Sequence, residues 1–208
     1  MLTQSNLWLA AQELASIQMR YANTGRTMSE VALGGARDFV EWQHYPKNDL
    51  IDVVSGYEFY YHSHSADEMP QGEHGHFHVI KRESSTFHHL IGIALNQQGL
   101  PVRLFTTNQW VTGEDMVNSD ISIKSLREFQ VVVKGRMAPV GKWVGALIRL
   151  YAAEIEELIL KRDQKIALLV AEQGGRELAL NLKKHHVLTE CKIDLMGRLS
   201  DNLLAVNS

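Results

Sequence analysis

The sequence predicts an α+β fold, with an antiparallel sheet of about five strands packed with N-terminal and C-terminal helices. Three observations carry this. Residues 56–80, GYEFYYHSHSADEMPQGEHGHFHVI, alternate in side-chain character on both sides of a polar turn. Residues 86–106 repeat the alternation around a second turn. Residues 5–23 and about 140–173 instead carry apolar residues at three-to-four spacing, the period of a helix. At 208 residues the chain suits a single domain. It divides into N-terminal helices over 1–50, an antiparallel meander over 56–107, a helical region over 119–173, and a final strand and short helix over 186–204.

The first helix, 5–23, places Leu7, Ala10, Ala11, Leu14, Ile17, Met19 and Tyr21 along its packing side. Ser5 or Asn6 can cap its start, and Asn23 to Gly25 can stop it. A second helix is expected over about 28–41, and its Gly34-Gly35 pair allows either a close contact or a break. Gln43 to Leu50 reads as a loop, with turn chemistry at Pro46 and at Asn48-Asp49. His44 in this loop could approach the histidine face as a further ligand, but the favoured reading is a loop or packing histidine. Asp49 and Asp52 are read as turn carboxylates flanking the next strand.

The centre of the chain is a hairpin rich in histidine. Two strands, 57–64 and 74–82, are joined by a loop carrying Asp67, Glu68, Pro70 and Gly72. Strand side chains alternate between faces. The odd positions Tyr57, Phe59, Tyr61, Phe77 and Val79 therefore form an apolar face. The even positions carry Glu58, Tyr60, His62, His64, His74, His76 and His78. In a simple register His62 opposes His76 and His64 opposes His74, with facing Cβ atoms about 4.5–5.5 Å apart. A third strand, 86–95, follows, and only one of its two neighbouring histidines, His88 and His89, can point toward the same site. A fourth strand runs over 101–106.

Thr106 to Glu114, TTNQWVTGE, leaves the sheet with hydroxyls, amides and an indole over a short span. Asn108 and Trp110 are the candidate ligand contacts here. The other reading is a strand-to-helix connection with Trp110 packed over the sheet edge. A helix is expected over 119–132, a break over 135–141, and a long helical region to residue 173, ended by Gly174-Gly175. Residues 176–184 are ambiguous. A fifth strand is expected over 186–193, and Asp194 can cap a last short helix. His185 and His186 lie far from the hairpin in sequence and are set aside.

Imidazole is the commonest metal ligand in proteins, and three histidines with an open position suit zinc. A His-rich site also suits iron, copper or nickel. The leading expectation is a divalent metal, zinc or iron, on the histidine face. Its ligands are drawn from His62, His64, His74, His76 and His78. Glu73 or Glu68 is the candidate general base for hydrolysis or oxygen chemistry. The alternative is a non-enzymatic module whose histidine face is a hydrogen-bonding or pH-responsive surface for a small molecule or a protein.

Composition narrows the remaining classes. The net charge is −3 with no basic block, which argues against nucleic acid and anionic membrane surfaces as partners. Cys191 is the one cysteine, so no intrachain disulfide and no cysteine-based zinc site can form. A reducing cytoplasm is the expected compartment. The first twenty residues lack the features of a signal peptide, and no apolar run reaches the length of a membrane span. Nucleophile elbows, P-loops and dinucleotide glycine fingerprints do not occur.

Two resemblances add to this reading. The segments YYHSH, GEHGHFH, HLIGIAL, RLFTTNQWVTGE, VGKWVGALIRLY and LTECKIDL, in that order, resemble an uncharacterised bacterial family, a domain of unknown function. This implies one unbroken domain and carries no activity. Within the hairpin, Gly56, His62, His64, Glu68 and Gly75 match the spacing of the first cupin motif. That resemblance implies His62, His64 and Glu68 as three of four metal ligands in a small β-barrel, with iron, manganese or zinc. The second cupin motif has no counterpart downstream.

Overall fold

The computed structural model describes residues 3–65 and 67–204. The described residues form one antiparallel sheet of six strands with eight α-helices. The strands are β1 (Tyr45–Asp52), β2 (Tyr57–His62), β3 (Glu73–Glu83), β4 (Thr86–Asn96), β5 (Pro101–Thr107) and β6 (Val187–Lys192). They lie side by side in chain order, each antiparallel to the next. The α+β class holds. The sheet has two ends, unlike the β-barrel that the cupin resemblance implies.

The helices are α1 (Gln4–Ala22), α2 (Met28–Ala32), α3 (Gln109–Thr112), α4 (Ser119–Arg127), α5 (Ala138–Leu150), α6 (Ala152–Gln173), α7 (Arg176–Leu180) and α8 (Leu195–Leu204). The odd-numbered hairpin residues Tyr57, Phe59, Tyr61, Phe77 and Val79 all enter the main core. Against them pack Leu14 of α1, Trp143 and Leu147 of α5, Ile155 of α6, and Leu195 of α8. Burying a side chain of this size stabilises by about 1.5–3 kcal/mol, so this helical layer holds the sheet in place. With the odd face committed to helices, the even face is left for the histidines.

The structure corrects several boundaries. The segment 43–50, expected as a loop, contributes to edge strand β1. Between Tyr45 and Leu50 the strand bulges away from β2, which absorbs Pro46 and the Asn48-Asp49 turn residues. The second helix stops at Ala32 because Gly34 and Gly35 both take positive φ, at 64° and 97°. The helix starting at Ser119 ends at Arg127, before the expected 132. The long C-terminal region is two helices separated at Tyr151. The first helix is capped by Thr3, whose hydroxyl accepts from the Asn6 amide. No helix among the described residues is long and apolar enough to cross a membrane.

Candidate metal centre

Strands β2 and β3 pair with His62 directly opposite His76, as expected from the sequence, and Tyr60 opposite His78, but the ladder ends at His62, so the expected His64–His74 pair is not formed. His62 Nε2 and His76 Nε2 lie 2.8 Å apart. The ring centres of His62, His76 and His78 are 4.6 to 5.1 Å from one another. One nitrogen from each ring can be chosen so that all three lie within 4.8 Å of one another, close enough to hold a metal ion. All three are nearly closed to solvent, with 9%, 6% and 2% exposure in that order, so the His62 end is the one nearest water.

Two β-bulges decide which other histidines join them. In β3 the register slips between Glu73 and Gly75, so Glu73 faces Asn96 and Gly75 faces Leu95. Glu73 thereby takes the place on the histidine face that simple alternation gives to His74. His74 stands apart on the other side, where its Nδ1 is 2.7 Å from the Tyr61 hydroxyl and its ring lies against Phe39. In β4 the register slips beside Leu90, so Val79 faces Ile91 while Ile80 faces His89. His89 is thereby exchanged with His88 on the histidine face. One of the two histidines reaches the site, as alternation requires, and the bulge selects His89. Its Nε2 is 2.9 Å from His78 Nδ1, and its Nδ1 is 3.3 Å from the Thr107 hydroxyl. His88 points away and pairs with the Ser125 hydroxyl at 3.2 Å.

The bulge beside His89 has its own support. Leu90 is its extra residue, and a bulge disrupts the ladder hydrogen bonds next to it. The His89 N–H donates to the Glu114 carboxyl at 2.6 Å, and the Thr112 hydroxyl meets its other oxygen. Glu114 is buried, and burial pushes its pKa up to about 8, so it is a neutral acid at pH 7. Beyond the histidines, Phe105 lies edge-on to His76 and His78. Its ring fills the space above Gly92, where an added Cβ would sit 2.3 Å from it, so this position needs glycine.

Burial also sets the charge of the cluster. Desolvation, with a smaller contribution from His64 and His44, pushes His62 down to about 3. Burial lowers His76 and His78 well below the ordinary histidine value, and takes His89 down to about 3. All four rings are therefore neutral at pH 7. Each offers one N–H and one lone pair, the form in which imidazole binds a metal.

The donor set fits a metal. Two nitrogens on a tetrahedral zinc, each 2.0–2.1 Å from the ion, lie about 3.3 Å apart. The 2.8 Å between His62 and His76 needs only a small opening to reach that spacing. Furthermore, His76 Nδ1 is buried with no hydrogen-bond partner among the described residues. A buried orphan nitrogen costs about 1–3 kcal/mol, and an ion held on His76 Nε2 would leave this one unpaired, so the fit rests on the facing Nε2 atoms.

The other candidate residues are dispersed around this centre. His64 forms part of the rim, its ring centre 5.2 Å from that of His76 and 4.2 Å from that of Trp42, against which it is tilted by 47°. Its Nδ1 is 3.9 Å from the Glu68 carboxylate, which is also held by Ser65. His44 stacks on Tyr60 at 3.7 Å and bonds Asp49, at the His62 edge. Asp52 is a turn carboxylate, accepting from the amides of Val54 and Val132. Glu73 is clamped by the Arg103 guanidinium through both oxygens, at 2.6 and 2.8 Å. Asn108 caps α3 and donates to the Ala179 carbonyl. Trp110 donates to the carbonyls of Leu182 and His185. Those two therefore tie α3 to α7 and to the segment after it. Sequence reasoning left His89 undecided and did not single out Thr107 or Glu114. The adjacent pair His88-His89 was the one available signal.

The fold and the site define an α+β protein carrying a buried histidine cluster on the face of an antiparallel sheet opposite its main helical core. Residues 8–193 match a family described as a domain of unknown function, DUF6969, and the chain belongs to that family. No curated protein and no solved structure matches the chain.

Proposed function

We propose that this protein binds one divalent metal ion through His62, His76 and His78. The observation that carries the reading is the convergence of three neutral, buried imidazoles from adjacent strands, each with a nitrogen within 4.8 Å of the others. Zinc suits three neutral nitrogen ligands with an open fourth position, and iron(II) is the second choice. Bound there, such an ion supplies Lewis acidity and a water of lowered pKa. The chain's own residues would keep bulk water out, fix the rings and serve the proton at the rim. For a hydrolase or oxygenase, Glu68 is the carboxylate free to act as base beside His64, because Glu73 is engaged by Arg103. The single cysteine suits a reducing compartment such as the cytoplasm.

A second reading, a metal-free hydrogen-bonding module, is favoured by one observation. The His62–His76 and His78–His89 contacts are already of hydrogen-bond length. Titration with zinc against a competing chromophoric chelator separates the two. The wild type should bind one equivalent, and His62→Ala with His76→Ala should bind none. Equal binding by the double variant would show that these residues are not the ligands. No binding by the wild type would favour the module.

A further inference from the structure

We infer that His89 and Thr107 are positioning residues that fix the tautomer of His78, so that His78 presents its Nε2 lone pair to the metal. The inference rests on the metal reading above. A metal-ligating histidine commonly donates its other N–H to an acceptor, which orients the ring and raises the basicity of the ligating nitrogen. The usual acceptor is a carboxylate or a carbonyl. Here the atom facing His78 Nδ1 is His89 Nε2, at 2.9 Å.

A neutral imidazole has one donor and one acceptor, so a chain of such rings has a direction. With His89 Nδ1–H donating to the Thr107 oxygen, His89 Nε2 must accept. His78 Nδ1 then carries the proton and its Nε2 is left with the lone pair. In the opposite direction the Thr107 hydroxyl donates, His89 Nε2–H donates, and His78 Nε2 carries the proton. Only the first direction leaves His78 able to ligate through Nε2. His89 is fixed for this task. It is 2% exposed, it is brought to the histidine face by the β4 bulge, and its backbone N–H is anchored on Glu114. His89 therefore acts through His78, and it does so from strand β4, outside the hairpin that carries the ligands.

The test uses the full chain with His89→Leu, His89→Gln and Thr107→Val. Glutamine keeps an acceptor where His89 Nε2 stands, and leucine removes it at similar size. Zinc affinity, read by chelator competition, should fall about 10- to 100-fold in His89→Leu. It should stay within about threefold of the wild type in His89→Gln. Nitrogen-15 spectra of the metal-free protein give a second readout, since His78 should carry its proton on Nδ1 in the wild type. In Thr107→Val that preference should weaken, which covers the case where His89→Leu does not fold. A wild-type His78 protonated on Nε2 would overturn the inference. So would a folded His89→Leu with wild-type affinity, or a His89→Gln as weak as His89→Leu. If the wild type takes up no zinc, the metal reading fails, and the His78 tautomer still decides the hydrogen-bond direction.

Discussion

His62 Nε2 and His76 Nε2 stand 2.8 Å apart across two directly paired strands, both buried and both held neutral by burial. Two imidazoles this close share either a proton or a cation. His78 completes the group, and His76 Nδ1 has no protein partner among the described residues.

The β3 bulge separates two neighbouring histidines by function. His76→Ala should lower zinc affinity at least about 100-fold, since it removes one of three ligands. His74→Ala should leave affinity within about twofold, because His74 bonds Tyr61 on the opposite face. The same chelator competition measures both. A large loss from His74→Ala would place that ring at the metal.

Glu73 and Arg103 form a bidentate pair with side-chain exposures of 6% and 12%. Arg103 also pairs with Glu190 at 2.6 Å, so removing the Glu73 charge leaves the guanidinium one carboxylate, short of its bidentate partner. Glu73→Gln should therefore cost about 1–3 kcal/mol of stability in urea unfolding, while zinc affinity stays unchanged. A loss of metal binding at unchanged stability would make Glu73 a ligand or base.

Acid should unfold the metal-free protein early. His62 and His89 fall to about 3 in the folded state, with His76 and His78 also lowered. The unfolded chain takes up these protons near pH 6.5, and the folded protein refuses them. The histidines' contribution to stability is thus full above about pH 6.5 and is lost as pH falls, by about 1.4 kcal/mol per unit for each histidine kept neutral. Circular dichroism against pH should show a midpoint near about pH 5. A fold unchanged at about pH 3.5 would contradict the burial argument.

Glu114 should act with the opposite sign. Its carboxyl is raised to about 8 in the folded state, from an ordinary value near 4.5. Between those values the unfolded chain releases a proton that the folded protein keeps, so stability declines as pH rises. Glu114→Gln keeps an acceptor for the His89 N–H and removes the titration. It should gain on the wild type between about pH 5 and 8, by about 1.4 kcal/mol per unit at most. A constant difference between the two across that range would show that Glu114 is ionised in the fold.

Much of the site was legible because period-two patterning survives wherever a strand is regular. The β2–β3 alternation put Tyr57, Phe59, Tyr61, Phe77 and Val79 in the core and paired His62 with His76, as observed. What the sequence hid is a matter of bulges. A single extra residue reverses the facing of everything beyond it. One such slip removed His74 from the face and another brought in His89. The edge strand β1 was hidden for a related reason, since YPKNDLID carries turn residues that a long bulge accommodates. Glu114 was unreadable because its role is to satisfy one backbone N–H set free by the β4 bulge.

The most direct test of the central claim is elemental analysis of protein purified without a histidine tag or a chelating column. About one equivalent of zinc, or of iron, is the expected result. Protein that emerges metal-free, and takes up neither ion on incubation, would contradict the metal centre.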